Sequence, residues 1–100
     1  MTIAQEIITQ IGGNRFIAMT GATEFYAYPD GVSFRIPPRS AKNGINYVHI
    51  TLTPDALYSI EFWAMNKRAM KYKVKATHLG VSSDQLEAVF TTETGLRTQL

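Results

Sequence analysis

The sequence predicts an α+β fold, a single domain spanning residues 1–100. The expected form is a curved antiparallel sheet of five to six strands with N- and C-terminal helices packed on one face. Three observations lead there. Asn46–Thr53 (NYVHITLT), Leu57–Ala64 (LYSIEFWA) and Met70–His78 (MKYKVKATH) alternate apolar and polar residues with period two, as strands do when one face is buried. The links between them are short and polar, too short for parallel crossovers, so the segments form a meander. Both ends of the chain carry helical spacing and capping residues instead.

Thr2–Ile11 is the first helix. Thr2 and Gln5 have the spacing of a capping box, and Ile3, Ile7 and Ile11 fall on one face. Gly12-Gly13 ends it. Arg15–Thr20 and Thr23–Tyr28 read as two short strands around Gly21-Ala22, although the run Phe16-Ile17-Ala18-Met19 blurs their alternation. Pro29-Asp30-Gly31 is a turn in which Gly31 is expected to take a positive φ. In the strand Val32–Ile36, Val32, Phe34 and Ile36 point inward and Ser33 and Arg35 outward.

Pro37–Gly44 breaks the regularity. It carries Arg39 and Lys42 with no acid, exceeds the usual hairpin loop of about 2–5 residues, and ends on an Asn43-Gly44 turn. It is read either as a plain connector or as a binding loop. In the meander, Val48, Ile50 and Leu52, then Tyr58, Ile60 and Phe62, then Tyr72, Val74 and Ala76 form the inward rows. Thr53-Pro54-Asp55-Ala56 and Asn66-Lys67-Arg68 supply the turns. The last helix is capped by Ser82 with Gln85, stapled by Val81 and Leu86, and stopped by Gly95; Leu86, Val89 and Phe90 are its buried stripe.

Composition narrows the function. With 45% hydrophobic and 18% charged residues the chain is globular, and with no cysteine it has neither disulfides nor thiolate metal sites. No apolar run reaches the roughly 20 residues of a membrane span, and the N-terminus lacks a signal-peptide layout, so a cytoplasmic protein is expected. His49 and His78 stand on different strands without further ligands, so no metal or other cofactor is expected. No serine sits in a nucleophile elbow, and Gly12-Gly13-Asn14 does not have the strand-loop-helix order that cradles phosphate. The expectation is a protein that is not an enzyme.

Charge points towards binding. Between Arg35 and Lys75, eight basic residues meet two acidic ones, net +6, whereas the flanks carry net −4. With the helices covering the apolar rows, the other sheet face is expected to hold Arg35, Tyr47, His49, Thr51, Glu61, Trp63, Lys71, Lys73 and Lys75. Lys67 and Arg68 adjoin it in a turn, and Arg39 and Lys42 in the long loop. Lysines among aromatic platforms are how single-stranded nucleic acid is held. The plainer reading is that lysines protect an edge strand and Glu61 pairs across to Lys73.

Three phrases add a resemblance. They are Gly12-Gly13-Asn14-Arg15-Phe16 running on through Met19-Thr20-Gly21-Ala22, Asn43-Gly44-Ile45-Asn46-Tyr47-Val48 running on to Thr53, and Phe90 with Thr94-Gly95-Leu96. Together they resemble a group of small proteins of about this length encoded by tailed bacteriophages and prophages. The resemblance carries over no functional residue. It implies a phage-encoded protein made in a bacterial cytoplasm, and proteins of that kind often act by binding nucleic acid or a host protein. The alternatives are thus a nucleic-acid binder, or a protein-interaction factor. The second class includes an inhibitor of a host defence enzyme and a homo-oligomer burying Trp63.

Overall fold

The computed structural model describes residues 2–37, 40–66 and 68–96. Three helices and five strands follow in the order α1 (Ile3–Ile11), α2 (Gly13–Thr20), β1 (Thr23–Tyr28), β2 (Gly31–Arg35), β3 (Tyr47–Leu52), β4 (Tyr58–Asn66), β5 (Lys71–Val81) and α3 (Leu86–Thr94). The strands form one antiparallel sheet in sequence order, with β1 and β5 at its edges. The α+β expectation holds, and the strand count is five.

Each terminal helix starts as its capping residues dictate. Thr2 Oγ1 accepts from Gln5 N at 3.2 Å while Gln5 Oε1 accepts from Thr2 N at 3.0 Å, which satisfies two of the N–H groups that a helix start leaves bare. Ser82 and Gln85 repeat the box at a short 3-10 turn, Ser83–Gln85, that leads into α3. Ile7 and Ile11 from α1 meet Leu86 and Phe90 from α3 over the sheet residues Val48, Ile50, Ile60 and Phe62, all fully buried. Both terminal helices therefore cover one face.

Arg15–Thr20, expected as a strand, is helical. Phe16 and Thr20 are the buried positions of α2, four residues apart, the spacing of a helix face rather than a strand face. Thr20 Oγ1 donates to Phe16 O at 2.7 Å and accepts from Ala22 N at 3.2 Å, and Gly21 closes the end in the left-handed conformation. Phe16 then packs edge-on against Phe34 (5.2 Å) and Phe90 (5.1 Å), each such pair adding about 0.5–1.5 kcal/mol beyond the area it buries. The Gly12-Gly13 break ends α1 as expected but links it directly to a second helix.

Gly31 is required for a different reason from the turn geometry expected of it. Its φ is not positive; a Cβ there would stand 2.2 Å from Ile50 O in the neighbouring strand. The positive φ values near the long loop belong to Asn43 and Gly44, as the turn reading implied.

The largest departure is in β5. Phe62 pairs with Ala76, but Trp63 pairs with Val74, so Lys75 is an extra residue and the strand is bulged there. From that point to the strand's start every side chain changes face. Tyr72 and Val74 were expected inward; paired with Met65 and Trp63, they lie on the outer face. Lys73 and Lys71 pair with Ala64 and Asn66 and lie on the other side.

Candidate nucleic-acid interface

The outer face of the sheet is built from aromatic rings. Tyr26 and Tyr28 reach it from β1, Tyr47 and His49 from β3, Trp63 from β4 and Tyr72 from β5. Tyr26 lies 4.9 Å from Tyr28, and Tyr28 stacks on His49 at 4.9 Å with 20° between the planes. Tyr47 meets Trp63 edge-on at 6.1 Å, and Trp63 lies 4.7 Å from Tyr72. A hydroxyl cluster connects the two rows. Ser33, buried on this face, donates to the Tyr28 hydroxyl at 3.3 Å, and the Tyr47 hydroxyl joins both. Burial pushes the Tyr47 phenol above its ordinary 10.0, so it keeps its proton to higher pH than a free tyrosine.

Beyond Trp63 the sheet narrows to a ribbon. β3 stops at Tyr47, yet Asn46 continues its work: the side-chain Oδ1 accepts from Met65 N at 2.8 Å and Nδ2 donates to Met65 O at 2.9 Å. The amide thus substitutes for one more residue of β3 backbone. Past that clip only β4 and β5 continue, into a turn where Asn66 Oδ1 accepts from Ala69 N at 3.2 Å. Tyr72 is 64% exposed and Met70 89%.

The residues singled out from sequence divide accordingly. Tyr47, His49 and Trp63 do share the open face, with Glu61 opposite His49. Arg35 shares it too, but its guanidinium is held by Glu24 at 3.1 Å. Lys71 and Lys73 leave that face because of the bulge, Lys75 is the bulged residue, and Arg68 stands exposed in the turn. The charge therefore collects around the ribbon and along the β5 edge rather than among the rings. Glu61 lies opposite Thr77 in β5, so the expected cross-strand pair with Lys73 does not form. Lys42 lies elsewhere, its methylenes against Gly95 at the end of α3 in the helix layer. Arg39 and Lys67 fall outside the described residues.

Sequence reading missed Tyr26, Tyr28 and Tyr72 as members of the face, and Asn46 as its brace. Tyr26 and Tyr28 alternate with Phe25 and Ala27, a signal that the bulge near Glu24 (φ 53°) obscures. Among the described residues no group of three or more His, Asp or Glu could hold a metal ion, and no helix is long and apolar enough to cross a membrane. Comparison with family models, curated proteins and solved structures finds no match for this chain.

Proposed function

We propose that the protein is a non-enzymatic binding protein that holds nucleic acid along the β5 edge. In the setting that the resemblance implies, it is phage-encoded and works in the cytoplasm of a bacterial host. One observation carries the reading. The bulged β4–β5 ribbon offers rings, Trp63 from β4 and Tyr72 from the edge strand, on one side and the edge-strand ammonium groups, Lys71 and Lys73, on the other. A strand of nucleic acid lying along that edge meets stacking surfaces for its bases and cations for its phosphates. Stacking contributes roughly 1–3 kcal/mol per base and tolerates any sequence. The two acidic carboxylates nearest in sequence, Asp55 and Glu61, are not on the ribbon.

A salt series tests this. Each phosphate neutralised makes affinity fall by about 0.7 log units per log unit of salt for a single strand. Anisotropy of a labelled oligonucleotide across a range of sodium chloride concentrations should give a slope of several phosphates. A flat profile, or no binding at low salt, defeats the proposal.

A second reading rests on β5, an edge strand that pairs only with β4 among the described residues, with Leu79 exposed on it and Met70 exposed just before it. Such an edge can pair with a strand of another protein, a host factor or a second copy. Retention of a defined host protein at salt concentrations that abolish nucleic-acid binding would favour it.

A further inference from the structure

At the tip of the ribbon is a cleft of about 260 Å³, lined by Met65, Asn66, Met70, Lys71 and Tyr72. Its walls are mainly apolar, yet it stands open to water beside the most exposed of the large apolar side chains, Met70. Met70 is held outward with φ 51°, a left-handed conformation that is costly for a residue with a Cβ. The conformation closes the β4–β5 turn, but the exposure has no such structural return: a methionine side chain there buries nothing, and it stands at the mouth of the cleft.

The chemistry of the lining is specific. Tyr72 presents a ring whose centre lies 4.7 Å from that of Trp63, with 33° between the planes. Two thioethers flank it, soft groups that sit well against aromatic rings. Asn66 is fixed by the bond from Ala69 N to its Oδ1, and no acceptor among the described residues takes its Nδ2. Lys71 adds a cation at the rim.

From these we infer that the cleft seats one nucleotide unit, a conclusion that rests on the nucleic-acid reading above. The base lies flat against Tyr72 and extends the Trp63–Tyr72 pair, with Met65 and Met70 closing over its edges. Asn66 Nδ2 donates to a ring carbonyl of that base, and Lys71 takes the phosphate. A base can enter only if it is unpaired, so the site selects single strands over duplex. A free nucleotide has the same chemistry as one residue of a strand, and the experiment separates the two.

The full chain is titrated with a deoxythymidine decamer, a blunt duplex of the same length, and thymidine monophosphate, following the emission of its one tryptophan, Trp63. The decamer should bind at least tenfold more tightly than the duplex and change the Trp63 emission. Tyr72→Ala should lose roughly tenfold or more of that affinity, the scale of one stacked base, and Tyr72→Phe should restore it. Met70→Ala, at an exposed position, should weaken the decamer without altering the circular dichroism spectrum. Equal binding of decamer and duplex, indifferent to Tyr72→Ala, overturns the cleft and leaves the nucleic-acid reading standing. Binding of the monophosphate as tight as the decamer supports the cleft and removes the extended strand. Binding of none of the three overturns both.

Discussion

At its base the β4–β5 hairpin belongs to the core, while at its tip it belongs to the solvent. Tyr58, Ile60 and Phe62 are buried, Phe90 of α3 lies 6.4 Å from the Phe62 ring, and His78 reaches Glu93 of α3 at 2.9 Å. Past Trp63 the same two strands continue without that cover among the described residues, and residues 71–75 are all exposed. The alternating pattern is alike in both halves. What differs is cover, which teaches that alternation makes a strand but only a partner turns one face of it into core. An isolated two-stranded ribbon is marginal in water, so the tip depends on Asn46 and on its own turn.

The comparison can be broken by mutation, and the largest effect belongs to the base. Phe90 is fully buried against Phe16, Phe34 and Phe62, so Phe90→Ala should cost about 3–5 kcal/mol, read by chemical denaturation. An unchanged midpoint would remove α3 from the core. Asn46→Ala tests the junction. It strips both partners from the Met65 backbone and should cost about 1–3 kcal/mol, with faster hydrogen exchange at the amides beyond Trp63. Equal exchange in the variant would show that the ribbon stands without its clip.

At the tip, Lys71→Ala with Lys73→Ala should leave stability within about 0.5 kcal/mol. The same change should lower the salt slope of single-strand binding by about 0.7 units for each phosphate that is no longer neutralised. A fall in stability like that of Phe90→Ala would erase the distinction between base and tip. The smallest effect lies in the β3–β4 turn, where the single Thr53 hydroxyl proton is shared between the Asp55 carboxylate and Leu57 O. The bond from Thr53 holds the Asp55 carboxyl below its ordinary 3.8. Its contribution is therefore present at neutral pH and disappears as pH falls through that lowered pKa. Thr53→Val should return the Asp55 titration, followed by NMR, towards the ordinary value.

By itself the sequence determined the features that depend on near neighbours. The capping boxes of Thr2 with Gln5 and Ser82 with Gln85 act within a single helical turn, and both are present. The rows Val48, Ile50 and Ile60, Phe62 need only period-two alternation on strands joined by tight links. Tyr47, His49 and Trp63 sharing a face follows from the same register. A local signal for α2 was also present and unused. Phe16…Thr20-Gly21-Ala22 repeats Phe90…Thr94-Gly95-Leu96, and in both the threonine hydroxyl donates four residues back at 2.7 Å.

Only the tertiary structure decided which rings join the open face and where the lysines go. Nothing in MKYKVKATH marks Lys75 as the extra residue, because its unbroken alternation is equally consistent with either register. The bulge lets Ala76 meet Phe62 on the helix-covered face while Tyr72 packs beside Trp63 on the outer one. Those partners lie on another strand, across the hairpin turn. A one-residue slip reverses every side chain beyond it, so long-range pairing, not local pattern, chose the face.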